Sequence, residues 1–154
     1  LYIIKTKPGR ENRALQDIMD AIFTYDMEAE PINPALTGLV LIKTKLSYEE
    51  INKILKEYPI RTILSIEKTI KHVKMLGENS LSKALSLLFE ELAEGKVKIR
   101  RVKVRCLGDR KSSENYVRKL VDSLLAKYKL IDEKEGKDLI LSIVNKYVFI
   151  KTIE

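Results

Sequence analysis

The sequence predicts an α+β chain in two parts, a βαββαβ domain over residues 1–75 followed by an α/β domain over residues 76–154. Three observations lead there. Apolar β-branched runs alternate with helical stretches in a fixed order. The helical stretches repeat their apolar residues at i, i+3, i+4 and i+7. A glycine, Gly77, interrupts the extended pattern between the two parts.

The run LYIIKT (1–6) is apolar and β-branched, and KPGR ends it with a Pro-Gly turn. Leu15, Ile18, Met19 and Ile22 then follow the helical spacing, so residues 11–24 are expected to form a helix with one buried stripe. MEAEPIN is a short extended piece, and GLVLIKT (38–44) is a second clear strand. Ser47 and Glu50 stand at capping-box spacing, and Ile51, Ile54, Leu55 and Tyr58 mark one face of the helix that they open. Pro59 closes it, and IRTILSIEKTIKHV is expected as one long strand. The order is that of the split βαβ, or ferredoxin-like, arrangement, in which one sheet buries a face under two helices.

Gly77 interrupts the extended pattern in LGEN (76–79), which places the domain boundary there, and Asn79 or Ser80 can cap a new helix. Leu81, Leu85, Leu88 and Leu92 give that helix its stripe, and Gly95 is expected to end it. A strand over 96–106 comes next. Val117, Leu120, Val121, Leu124, Leu125 and Tyr128 then match the helical template over about 112–128. KDLILSIV and KYVFIKT are two further strands, with Asn-Lys as a tight connection.

The chain has 154 residues, 45% of them hydrophobic, and a formal net charge of +7. Residues 96–129 carry 12 Lys or Arg against 3 Asp or Glu, whereas residues 1–95 carry 13 against 14. A surplus this concentrated makes a local field that attracts polyanions, so nucleic acid is the first candidate partner. No apolar run approaches the ~18 residues that cross a bilayer, and no basic-then-apolar leader opens the sequence. A cytoplasmic protein with no membrane partner is therefore expected. One cysteine, Cys106, and one histidine, His72, leave too few soft ligands for a zinc site, and no metal or cofactor is expected.

Within 96–105 the apolar parity changes, from Val97 and Ile99 at odd positions to Val102 and Val104 at even ones. A regular strand cannot bury both sets on one face, so a bulge is expected at Arg100 and Arg101. Lys98, Arg100, Lys103 and Arg105 then stand on the solvent side, with cations about 7 Å apart along the strand. Such a row is either the wet face of a half-buried strand or a phosphate-binding surface. The strand itself supplies no compensating acid, which favours the surface. In the loop GDRKSSEN (108–115), Ser112 or Ser113 at the helix N-cap leaves backbone N–H groups facing outward beside Arg110 and Lys111. Such a terminus attracts anions. Arg118 lies along the same helix off the apolar stripe and extends the basic face or is simply solvated.

Other constellations carry less. Cys106 lacks a nearby histidine, and KTKPGR lacks the length and Lys-Ser pairing of a nucleotide loop. Tyr116 and Tyr147 either stack on unpaired bases or complete a core. No carboxylate pair stands out for acid-base chemistry, so no catalytic residue is assigned.

KIRRVKVRCLGDRKSSENYVRKLVDSLL (98–125) resembles the THUMP domain of tRNA-modification proteins, with its basic strand, turn, serines and amphipathic helix. KDLILSIVNKYVFI is similar to the paired strands that close that domain, and the first half resembles the ferredoxin-like domain that commonly precedes it. Where the family often has Pro-Asp before those strands, this chain has EKEGKD. The resemblance implies tRNA as ligand, held near the acceptor stem and 3′ end, with Arg105, Arg110, Lys111, Ser112 and Ser113 facing RNA. With no room for a catalytic domain before Glu154, it implies a non-enzymatic adaptor for a separate tRNA-modifying enzyme, like those serving a cytidine acetyltransferase. The alternative is the RNA-binding portion of a tRNA methyltransferase or thiouridine synthase system. LYIIKTKPGREN also resembles the start of NusG-type transcription factors, whose following β-barrel has no counterpart here.

Overall fold

The apolar run that opens the chain becomes strand β1 (Tyr2–Thr6), with both neighbours antiparallel to it in a four-stranded sheet. A computed structural model describes residues 1–75, 81–107 and 113–153 of the chain. They divide into two compact units, Leu1–Lys68 and Thr69–Glu154. Among the described residues, no helix is long and apolar enough to cross a membrane.

In the first unit β1 leads into α1 (Glu11–Ile22), β2 (Glu30–Leu36), β3 (Leu39–Lys43), α2 (Tyr48–Glu57) and β4 (Ile63–Lys68). The sheet order β2-β3-β1-β4, antiparallel throughout, is the ferredoxin-like arrangement expected from the element order. Its core sets Tyr2 and Ile4 of β1 and Val40 and Ile42 of β3 against Leu15, Ile18 and Ile22 of α1 and Ile51 and Ile54 of α2. Both expected stripes are therefore present, except that Tyr58 lies outside its stripe, 58% exposed at the end of α2. The capping box is formed: the Glu50 backbone N–H donates to the Ser47 hydroxyl at 3.2 Å, and the Ser47 N–H donates to the Glu50 carboxylate at 2.7 Å.

One buried carboxylate ties two connections of this unit together. Asp26, 2% exposed between α1 and β2, accepts from the Thr44 hydroxyl, from the Lys45 N–H at 3.0 Å and from the Glu28 N–H at 3.1 Å. The Thr44 hydroxyl bond, with the two backbone donors, holds its pKa below the ordinary carboxylate value.

The expected long strand over 60–73 is two strands. β4 pairs with β1, whereas β5 (Lys71–Lys74) pairs antiparallel with the last strand of the chain. A single strand could not serve both partners, and the break at Thr69 and Ile70 separates them.

The second unit continues with α3 (Leu81–Glu94), β6 (Ile99–Leu107), α4 (Glu114–Lys127), β7 (Lys137–Val144) and β8 (Tyr147–Thr152). The expected cap at Asn79 or Ser80, and the LGEN boundary, lie outside the described residues. Sheet order is β5-β8-β7-β6, and β6 runs parallel to β7 through the α4 crossover. One core joins Leu85, Leu88 and Leu92 of α3, Val117, Val121 and Leu125 of α4, and Leu139, Leu141 and Ile143 of β7. The β7–β8 connection is the expected two-residue turn, and its first residue, Asn145, has φ 51, a conformation asparagine tolerates.

Both helices of this unit end the same way. After α3 the Lys96 N–H donates to Ala93 and the Val97 N–H to Leu92; after α4 the Lys129 N–H donates to Ala126 and the Leu130 N–H to Leu125. This is the Schellman pattern, with Lys96 (φ 52) and Lys129 (φ 51) in the left-handed position. Gly95 was the expected stop, but the left-handed residue is its neighbour. That shift also delays the strand expected from residue 96 until Ile99.

Asp26 generates a pH dependence of defined sign. A carboxylate whose folded-state pKa is depressed stabilises the fold fully above its unfolded value and loses that contribution as pH falls through the folded one. The melting temperature of the chain is expected to fall on acidification below about pH 4. Asp26→Asn should melt lower than wild type at neutral pH and lose less on acidification. Identical acid limbs in circular-dichroism melts of the two proteins would contradict the role of this carboxylate.

Candidate nucleic-acid interface

The bulge expected from the parity change is present. Ile99 pairs with Lys137 and Arg101 with Asp138, so two steps on β6 oppose one on β7, and Arg100 is the extra residue. Ile99 and then Val104 and Cys106 can thus all point into the core, at 0%, 4% and 3% exposure. Arg101, Lys103 and Arg105 fall on the other face, and Lys98 and Arg100 are exposed ahead of them.

The segment after α4 clamps this bulge. The Ile99 N–H donates to Leu130 at 2.9 Å, the Asp132 N–H to Ile99 at 2.8 Å and the Lys137 N–H to Lys98 at 3.0 Å. Asp132 turns the chain by accepting from the Lys134 and Glu135 N–H groups, each at 3.0 Å, which lowers its pKa. Gly136 is required by the close approach: a Cβ there would lie 2.3 Å from the Arg100 nitrogen and 2.4 Å from the Ile99 carbonyl carbon. The EKEGKD stretch is therefore the strap over the bulge.

β6 is an edge strand of its sheet. Cations on an edge discourage pairing with other strands, which is a structural use of the same residues. Position and pairing separate the cations into two groups. Arg100 makes a bidentate contact with Asp138, Nε to Oδ1 at 2.8 Å and Nη2 to Oδ2 at 2.9 Å, and Arg101 reaches Oδ2 at 3.1 Å. The Arg100 hydrogen bonds lower the pKa of Asp138 from the ordinary carboxylate value and raise Arg100 in turn. Arg118 is paired with Glu114 one helical turn away, at 2.7 Å. Among the described residues, no carboxylate pairs with Lys103 or Arg105, whereas the charge of Lys98 acts on Asp132.

The expectation that the row lacks compensating acids is thus corrected in part: its own strand has none, but Asp138 of β7 offsets one of the two charges at the bulge. Residue spacing along β6 could not reveal this, because the partner is set by the register of a parallel pair about 37 residues away. The structure also adds Lys151 of β8, which shares a cross-strand row with Ile140 and Lys103. Tyr116 on α4 is 58% exposed and does not complete a core, whereas the Tyr147 ring lies 5.9 Å beneath the Lys74 ammonium. Cys106 points into the core.

At the start of α4, Arg110, Lys111 and Ser112 lie outside the described residues. Ser113 occupies the N-cap, but its hydroxyl makes no capping bond. Its φ of −93° and ψ of 3° leave the extended region from which a cap side chain reaches the N2 or N3 amide.

No family model matches the chain, and no curated protein matches it. Among solved structures it is similar to TrmN from Thermus thermophilus, with a TM-score of 0.52 at 18% identity over 98% of this chain and 44% of TrmN. A 4-thiouridine synthetase solved with RNA and bound ATP gives a TM-score of 0.49 at 14% identity, over 99% of this chain and 40% of that one. PH1313 from Pyrococcus horikoshii gives 0.48 at 16%, over 99% and 53%. At these identities the likeness is one of fold.

The Asp138 cluster yields a test with two opposite signs. Asp138→Asn removes the carboxylate that holds both guanidiniums and raises the charge of this face by one. The melting temperature should fall, while heparin-column elution should move to higher salt. Elution at equal or lower salt would show that Asp138 does not compete with an anion for these arginines.

Proposed function

We propose that this chain binds tRNA and presents it to a separate modification enzyme, a cytidine acetyltransferase, performing no chemistry itself. The observation that carries the reading is the exposed row on β6, where Lys103 and Arg105 have no acidic partner among the described residues. Exposed, uncompensated cations at two-residue spacing release counterions when a phosphate backbone lies along them. A row of charge gives affinity and register without reading sequence, which suits a protein that carries many tRNAs.

Two further findings support it. The fold likeness to TrmN spans nearly the whole chain. The second unit presents β6, α4, β7 and β8 in the order that the THUMP resemblance implies. From that resemblance come the acceptor stem and 3′ end as the part of tRNA held, and Arg110, Lys111, Ser112 and Ser113 as further contacts.

A second reading is favoured by one fact: the chain spans 44% of TrmN. On that reading the same surface is the RNA-binding portion of a longer tRNA methyltransferase or thiouridine synthase. The two readings share the RNA surface and differ in where the enzyme lies.

Filter binding of labelled tRNA tests the shared part. With four to six phosphates engaged, log K against log salt should fall with a slope of about −3 to −4; a slope near zero would remove the electrostatic basis. Adding the chain to the acetyltransferase should raise tRNA acetylation, and turnover by the purified chain alone would overturn the adaptor role.

A further inference from the structure

A groove of about 780 Å³ opens within the first unit, between α1 and the segment that joins α2 to β4. We propose that it docks a protein segment bearing basic side chains and an apolar anchor; only the identity of its owner, the enzyme that receives the RNA, rests on the adaptor reading.

The lining excludes the ligand that the second unit attracts. Asp17, Asp20 and Glu57 face the groove. Arg13 is engaged by Asp17 at 3.2 Å, which leaves Arg61 against Asp20 and Glu57. α1 has no basic residue in its last turn, so the negative end of its dipole adds to the carboxylates. A polyanion is repelled there, and a cationic side chain is attracted.

The same groove offers apolar contact. Tyr58 is 58% exposed at its rim, and Phe23, 55% exposed, immediately precedes the lining residue Thr24. Large aromatic side chains left in water beside a concavity are the usual anchors of protein interfaces.

The division of charge agrees with this assignment. Residues 1–68 carry 10 Lys or Arg against 10 Asp or Glu, so the whole net charge of +7 belongs to the second unit. The chain thereby offers RNA one unit and a cationic protein segment the other.

The test is an amide NMR titration of the isotopically labelled full chain with the amphipathic peptide Ac-LRKLLRKLLR-NH2, and with the same peptide carrying Glu at every basic position. Shifts confined to the neighbourhood of Ala21, Thr24, Ile60 and Thr62, seen only with the basic peptide, are expected. Asp20→Lys with Glu57→Lys should weaken that binding at least tenfold, Tyr58→Ala should weaken it as well, and tRNA affinity should not fall in either variant. Shifts elsewhere, equal response to the acidic peptide, or unchanged binding by both variants would overturn the groove while leaving the tRNA surface standing. Loss of the tRNA salt dependence with the peptide response intact would overturn the adaptor reading alone.

Discussion

The second unit depends on one backbone irregularity, the extra residue between Ile99 and Arg101. Without it, an apolar set that begins on odd positions and continues on even ones would put either Ile99 or the pair Val104 and Cys106 into water. With it, both sets enter one core. Every cation of the strand is displaced outward by the same step, so the stability of the sheet and the charge of the face share a single cause. The bulge is held from outside by the strap that runs from Leu130 to Asp138. Gly136 gives that strap its close approach, and Asp138 gives it a carboxylate between two guanidiniums.

That arrangement grades the cations instead of treating them alike. At the bulge, the two arginines are held against an acid that is largely withdrawn from solvent, with 11% of its side chain exposed. Further along, Lys103 and Arg105 are exposed and have no acidic partner among the described residues. An anion approaching the strand meets unpaired charge at Lys103 and Arg105 and a partly neutralised cluster at the bulge. The first unit shows the opposite economy, with as many acids as bases and a groove lined by Asp17, Asp20, Glu57 and the exposed Tyr58. The ferredoxin-like sheet beneath is generic, and the distinguishing chemistry lies on its helices.

Much of this was legible in the residues. The stripe of α1, the Ser47–Glu50 box, the Asn-Lys turn and the parity break at Arg100 are all local patterns, and local patterns survive folding because they are satisfied within a few residues. What stayed hidden was set at a distance. Asp138 became the partner of Arg100 through the register of a parallel pair, and parallel registers leave no turn signature. The strand over 60–73 read as one because nothing in its composition says that its two ends pair with different sheets. Lys96 and Lys129 took the left-handed stops of their helices, a role that composition assigns to glycine. Of the site itself, the exposed row on β6 was foreseen. The partial neutralisation was not, and Arg110, Lys111 and Ser112 lie outside the described residues.

The central claim is that unpaired cations, and not the basic segment as a whole, make the RNA surface. The most direct measurement compares tRNA affinity in two double variants that remove equal charge from the same strand, Lys103→Gln with Arg105→Gln and Arg100→Gln with Arg101→Gln. The first should weaken binding by roughly 10 to 100 fold, at about 1 kcal/mol per contact, and the second by several fold less. Equal losses, or a greater loss at the bulge, would contradict the account.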